Sequence, residues 1–221
     1  MTSSRPRRSP LRLPPPVRAA ALVAVGGTRL SGELAWLSWA GTVWRLDGES
    51  GAVFVKRAAE LTGERDRIAW LTGRWPVPEV LGFFHEEGDD WLMTRALAGV
   101  PMYHASVGWE PQRVARELGL ILRGLHAADA IGCPFGVAKP GNVLIHGDYC
   151  LPNVLVWEER LSGVVDLGRF GLGDPRDDLG AGVWTLQYNY GKGFARDFLD
   201  AYGSPAMNDQ EIERLRRRYA R

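Results

Sequence analysis

The chain has 221 residues, 45% of them hydrophobic and 24% charged, a balance that excludes a wholly disordered polymer and supplies core material for one large domain or two small lobes. Its 27 Lys and Arg side chains against 26 Asp and Glu leave a net charge of +1, so no global field directs it to nucleic acid or to a membrane surface. Two cysteines, Cys133 and Cys150, are too few for a disulfide framework and fit a reducing compartment, so a cytoplasmic protein is expected. No apolar run approaches the roughly 20 residues that span a bilayer.

Residues 1–17 are rich in Arg and Pro and read as a flexible, solvated tail. Arg7 and Arg8 before the apolar run 19–25 resemble the opening of a signal peptide. That run is short, stops at Gly26-Gly27 and follows three prolines, so the tail reading is preferred. Residues 17–24 begin a short helix or strand. Residues 34–46 read as a hairpin turned at Ala40-Gly41-Thr42. Residues 52–56 form a strong strand of β-branched and aromatic side chains closed by Lys56. A helix over 64–71 follows, with Ile68 and Leu71 on one face, and Pro76 and Pro78 end it. Strands at 80–84 and 91–94 flank the turn Glu87-Gly88-Asp89-Asp90. Beyond residue 100 the character changes. Pro111 opens a helix that runs to His126 through Val114, Leu118, Ile121, Leu122 and Leu125. Short apolar runs at 143–145, 154–157 and 161–167 precede helices over 177–202 and 209–221. The predicted architecture is α+β: a β-rich lobe over 18–97 and a mainly helical lobe over 98–221.

The strongest chemical signal is His146-Gly147-Asp148-Tyr149-Cys150-Leu151-Pro152-Asn153, a loop between two apolar strands. Thirteen residues past Asn153, Val164-Val165-Asp166-Leu167-Gly168 places a second aspartate at the end of a β-rich run. Two acids and an amide converging in this way suit a hard cation that prefers oxygen ligands, and leave one carboxylate free to orient a hydroxyl nucleophile.

These residues resemble the H-G-D-x-x-x-x-N loop and following I-D-x-G of the aminoglycoside phosphotransferases, relatives of the protein kinases. The run from Val164 to Gly180, with Asp166-Leu167-Gly168-Arg169, resembles the kanamycin/neomycin 3'-phosphotransferase branch in particular. Cys133-Pro134-Phe135, Trp70-Leu71 and residues 76–81 are similar to the same branch, and the likeness runs from about residue 20 onward. The resemblance implies a two-lobed protein-kinase-like fold with ATP and Mg²⁺ between the lobes. It implies that Asp148 is the catalytic residue that orients the acceptor hydroxyl and accepts its proton, and that Asn153 and Asp166 hold Mg²⁺. Lys56 would reach the nucleotide phosphates, held by Glu64, with Glu60 as the competing partner. Thr94 and Ala96, in the linker 93–97, would lie against the adenine. The loop 38–43 would turn over the phosphates, although it has no G-x-G-x-x-G. His146 and Arg169 read as loop braces, and Asp178 as a brace of the catalytic loop.

The chain also departs from the branch. The helical insertion expected after Cys-Pro-Phe is replaced by seven residues, 136–142, and the chain ends in a basic helix where the family carries acids. A further family acid on the helix after Asp166 falls near Gln187 or Tyr188. Phosphoryl transfer to a small-molecule hydroxyl is therefore expected, with an aminoglycoside 3'-hydroxyl as the acceptor the resemblance favours. Another hydroxylated metabolite, or a nucleotide-binding relative without turnover, is the alternative. No nucleic-acid or membrane partner is expected, and the oligomeric state is open.

Overall fold

The computed structural model describes residues 12–38 and 41–220, those at 36–38 by backbone alone. The chain divides into two compact units. The first comprises the chain to Ala69 and Pro78–Ala96; the second comprises Trp70–Val77 and everything from Leu97 onward.

The first unit is built on a five-stranded antiparallel sheet. Its strands are β1 (Ser31–Ser38), β2 (Gly41–Gly48), β3 (Gly51–Ala58), β4 (Val80–Glu86) and β5 (Asp89–Arg95), in spatial order β1-β2-β3-β5-β4. Side chains alternate across a strand with period two. Trp44 and Leu46 of β2 and Val53 and Val55 of β3 therefore point to one face, where they are buried. That face is covered by α1 (Pro15–Val25), whose Val17, Ala21 and Val25 recur every fourth residue and are fully buried. Trp44 stacks on Trp91 at 5.7 Å beneath it. The helix begins inside the segment read from sequence as tail. Proline at the first helical position needs no amide donor and carries a φ suited to a helix, so the proline run starts α1. The part of that segment at residues 1–11, with Arg7-Arg8, lies outside the described residues, as do Trp39 and Ala40 of the 38–43 loop.

α2 (Thr62–Leu71) follows β3. Its entry is fixed by Asp90, 7% exposed, which accepts the Leu61 amide at 2.8 Å and pairs with His85 at 2.9 Å. The His85 hydrogen bond, then the Leu61 amide, holds the Asp90 carboxyl below its usual range.

The second unit is helical around two small sheets. β6 (Val100–Pro101), β8 (Val154–Trp157) and β9 (Arg160–Val164) form one, and β7 (Val143–Ile145) pairs with β10 (Gly171–Gly173) in the other. α3 (Pro111–His126) packs closely on α5 (Ala195–Tyr202) where Gly119 has no side chain: a Cβ there would lie 2.3 Å from the Phe198 carbonyl oxygen. α4 (Pro175–Tyr190) packs on α6 (Asp209–Tyr219). The approach is close because Gly180 has no side chain: a Cβ there would lie 2.6 Å from the Leu215 carbonyl oxygen. Among the described residues no helix is long and apolar enough to cross a membrane.

Candidate active site

In the first unit, alternation along β3 turns Lys56 away from the face that α1 covers. Its Nζ meets Glu64 Oε2, from the first turn of α2, at 2.7 Å. Glu64 is 8% exposed, so the pair is largely withdrawn from water and its geometry is well defined. Glu60, the rival partner, instead accepts the Gly63 amide at 3.0 Å. At the end of the same sheet, Thr94 sits in register with both Phe54 and Val80, and the Ala96 amide donates to the Ala52 carbonyl at 3.0 Å.

In the second unit the loop between β7 and β8 is organised by one buried carboxylate. Asp178, in the first turn of α4, is 0% exposed. Its Oδ2 accepts the His146 amide at 2.6 Å and its Oδ1 accepts the Gly147 amide at 2.8 Å. His126 Nε2 lies 3.2 Å from Oδ2. A carboxylate at a helix N-terminus is favoured by the helix dipole, and charge-assisted bonds to two successive amides fix the backbone that leads into Asp148. Gly147 has φ +81°, and a Cβ there would sit 2.5 Å from the Arg169 carbonyl oxygen, so only glycine fits.

His146 is a brace, as the sequence suggests. Its ring is buried, with Nδ1 accepting the Asp148 amide at 3.3 Å and Nε2 donating to the Val165 carbonyl at 3.0 Å. That pattern requires the neutral ring with its proton on Nε2. Arg169 does not brace the loop with its side chain. It is exposed and makes no side-chain hydrogen bond or ion pair among the described residues; its backbone packs on Gly147 instead.

Asp148 and Asn153 are brought into contact. Asn153 Nδ2 donates to the Asp148 carbonyl at 2.9 Å and to Oδ2 at 3.1 Å. The Asn153 carbonyl in turn accepts the Val165 amide at 3.0 Å, which sets Asp166 as the next residue along. Asp166 is exposed and has φ +61°, a conformation that a non-glycine residue adopts at a cost and that clusters at functional sites. With its amide nitrogen engaged by Asp148, Asn153 keeps Oδ1 as an oxygen donor. One amide oxygen and one carboxylate form a set suited to Mg²⁺, which retains waters and phosphate oxygens as its other ligands. Among the described residues there is no cluster of three His, Cys, Asp or Glu side chains that would make a closed metal cage.

The second oxygen of Asp148 has a partner that the sequence reading did not identify. Tyr219 of α6 donates its hydroxyl to Asp148 Oδ1. Cys150 Sγ lies 3.6 Å from the same oxygen and 3.3 Å from the Tyr219 hydroxyl. Burial pushes the Cys150 thiol up to about 12, so it stays protonated. Tyr219 is 71 positions from Asp148, and no spacing rule joins a loop to a helix at that distance.

The acids at the start of α4 are engaged within the chain. Asp174 caps α4 by accepting the Arg176 amide at 2.9 Å, and also pairs with the Arg176 guanidinium at 2.6 Å and with Arg218 at 3.2 Å. The Arg176 hydrogen bond holds its carboxyl down to about 2. Asp177 is paired with Arg218, and Asp178 is taken by the loop. The basic end of α6 is in turn partly balanced by its own Glu213, which binds Arg216 and Arg217 at 2.8 Å each.

Comparison with known proteins decides the family. The model of the phosphotransferase enzyme family matches residues 36–139 and 136–217. The chain belongs to that family. It is accordingly an enzyme that transfers phosphate to a hydroxyl. An aminoglycoside 3'-phosphotransferase of Niallia circulans is 26% identical over 196 residues, covering 69% of this chain and 75% of the relative. The crystal structure of an aminoglycoside-3'-phosphotransferase of type VIII superposes with a TM-score of 0.70 at 25% identity, over 90% of this chain and 99% of that one. Aminoglycoside phosphotransferase APH(3'')-Id of Streptomyces rimosus, in complex with ADP and streptomycin, has a TM-score of 0.66 at 22% identity, over 81% of this chain and 89% of that one. The α+β, kinase-like fold expected from the sequence is the fold found.

Proposed function

We propose that the enzyme moves the γ-phosphoryl group of ATP to a hydroxyl of a small molecule, and that the acceptor is the 3'-hydroxyl of an aminoglycoside. The observation that carries the reaction is the carboxylate of Asp148. It is half-buried, held on one oxygen by Asn153, and set at the end of a loop that Asp178 anchors through two backbone amides. Such a group orients an incoming hydroxyl and takes its proton late in transfer. Lys56, held straight by Glu64, places a fixed positive charge for the nucleotide phosphates. Asn153 and Asp166 would hold Mg²⁺, which when bound neutralises charge on the β- and γ-phosphates. Thr94 and Ala96 would lie against the adenine. With the Ala96 amide engaged by Ala52, its carbonyl is the group left to accept an adenine amino proton. A compartment that maintains ATP, the cytoplasm, follows from this reading.

The aminoglycoside acceptor is supported by the relatives' names. A different hydroxylated acceptor is favoured by one observation: Asp174, Asp177 and Asp178 are all paired inside the chain and offer little to a polycation. The deciding experiment is ADP release from Mg-ATP with kanamycin and with a 3'-deoxy aminoglycoside, using Asp148→Asn as control. Turnover on kanamycin alone, lost in the variant, is expected. Bound ATP with no turnover on either drug would sink the aminoglycoside assignment.

A further inference from the structure

The contact between Tyr219 and Asp148 gives that carboxylate an unusual occupancy. An ionised carboxylate only accepts hydrogen bonds. Oδ2 has Asn153 and Oδ1 has the Tyr219 hydroxyl, so both oxygens are already engaged. A phenolic O–H is the same kind of donor as the alcohol the enzyme must receive, and as water. The tyrosine is not loosely placed. It lies in the last turn of α6, and its ring packs on Trp184 of α4 at 5.3 Å, with Trp184 stacked in turn on Tyr188 at 5.2 Å. α6 is held to α4 by the close approach at Gly180 and by Arg218 on Asp177 and Asp174. Burial, and then the bond to Asp148, raises the Tyr219 pKa, so the hydroxyl keeps its proton.

We propose that Tyr219 is a placeholder that lets the enzyme distinguish its acceptor from water: in the absence of acceptor its hydroxyl holds the position on Asp148 Oδ1 that the reacting hydroxyl takes, and the acceptor displaces it. This rests on the reading of Asp148 as the residue that orients the nucleophile. Water brings no other contacts with which to compete against a tethered phenol. An acceptor bound along its whole length draws on remote binding energy to turn the side chain away. The reaction suppressed is hydrolysis, in which water oxygen bonds to the γ-phosphorus and the bridging P–O bond breaks. ADP then leaves with that electron pair, and the water proton passes to Asp148 and on to solvent. The aromatic contact with Trp184 keeps the tyrosine poised to return after product leaves.

The test compares wild type with Tyr219→Phe, which keeps the ring and its packing on Trp184, and with Tyr219→Leu, which removes both ring and hydroxyl. Acceptor-free ADP release from Mg-ATP is measured beside kanamycin-dependent release, and thermal unfolding confirms that each variant is folded. Losing one hydrogen bond to a charged group should raise acceptor-free hydrolysis about tenfold in Tyr219→Phe. Its KM for kanamycin should fall while kcat stays within about threefold of wild type. A tyrosine serving only to pack α6 would move neither ratio. Folded variants with unchanged acceptor-free hydrolysis overturn the proposal, as does a kanamycin kcat lost as completely as in Asp148→Asn. If wild type transfers nothing to kanamycin while Tyr219→Phe still hydrolyses ATP faster, the aminoglycoside reading fails and the placeholder stands. Absence of ADP in every arm overturns both.

Discussion

Lys56 and Asp148 illustrate how a side chain acquires a chemical role from its neighbours. An isolated lysine at a strand end is a solvated cation. On β3, with Glu64 at 2.7 Å and largely buried, it becomes a fixed charge. Glu64→Gln would leave a largely buried lysine beside a neutral amide, so kcat/KM for ATP should fall by about tenfold to a hundredfold, read by ADP release, and the melting temperature should fall as well because the cation loses its counter-charge. Asp148→Asn keeps shape and removes the proton acceptor, and should lower kcat by about a hundredfold or more while the nucleotide still binds in a thermal-shift assay. Cys150 offers a test away from turnover. Its thiol is buried and pushed up to about 12, whereas Cys133 is half-exposed. One thiol of the folded protein should react with a disulfide reagent at neutral pH and the second only after denaturation.

At the scale of elements, α4 carries the site. Its first turn supplies Asp174 as N-cap, Asp177 as the partner of Arg218, and Asp178 as the anchor of the loop at 146–153. Asp178→Asn removes the charge from a fully buried acceptor of two amides, and should cost about 3 kcal/mol of stability, seen as a lower denaturant midpoint. kcat should fall with it, because Asp148 follows directly on those amides. Asp174 sets a pH dependence. Its carboxyl is held down to about 2 in the folded chain, chiefly by Arg176, against an unfolded value near 4. A depressed folded value means that the stabilisation is complete above about pH 4 and is lost as pH falls toward 2. Asp174→Asn keeps a capping oxygen and loses the titration, so its melting temperature should fall less steeply over that interval.

For the molecule as a whole, the first unit depends on α1 as the cover of its sheet. Val17, Ala21 and Val25 close a layer over Trp44, Leu46, Val53 and Val55. Val17→Asp would bury an unpaired carboxylate there. A loss of several kcal/mol is expected, with aggregation on heating, measured by circular dichroism and light scattering.

Much of this was legible in the sequence for identifiable reasons. The strands of the first unit follow from β-branched and aromatic residues in period two, and α3 from its heptad-like apolar spacing after Pro111, since both are local patterns. The loop 146–153 was legible because an aspartate and an amide five apart, between two strands, are chemically conspicuous. The pairing of Lys56 with Glu64 and the bracing role of Asp178 came from the family resemblance, since neither a lysine on a strand nor an acid on a helix names its partner. Of the helix at 15–25, residues 17–24 read as helix or strand, and only its first turn was obscured by prolines that also extend a chain. The brace expected of Arg169 failed because the loop is held by a buried carboxylate and not by a surface cation.

By itself the sequence determined the class of chemistry and most of the order of strands and helices, because these are encoded in short runs and fixed spacings. Only the tertiary structure decided which of the acids near α4 remain available and what rests on Asp148. The ion pairs of Arg218 with Asp177 and Asp174 form where α6 packs on α4, and the Tyr219 hydroxyl reaches Asp148 across 71 positions; such packing is not a property of any local stretch of chain.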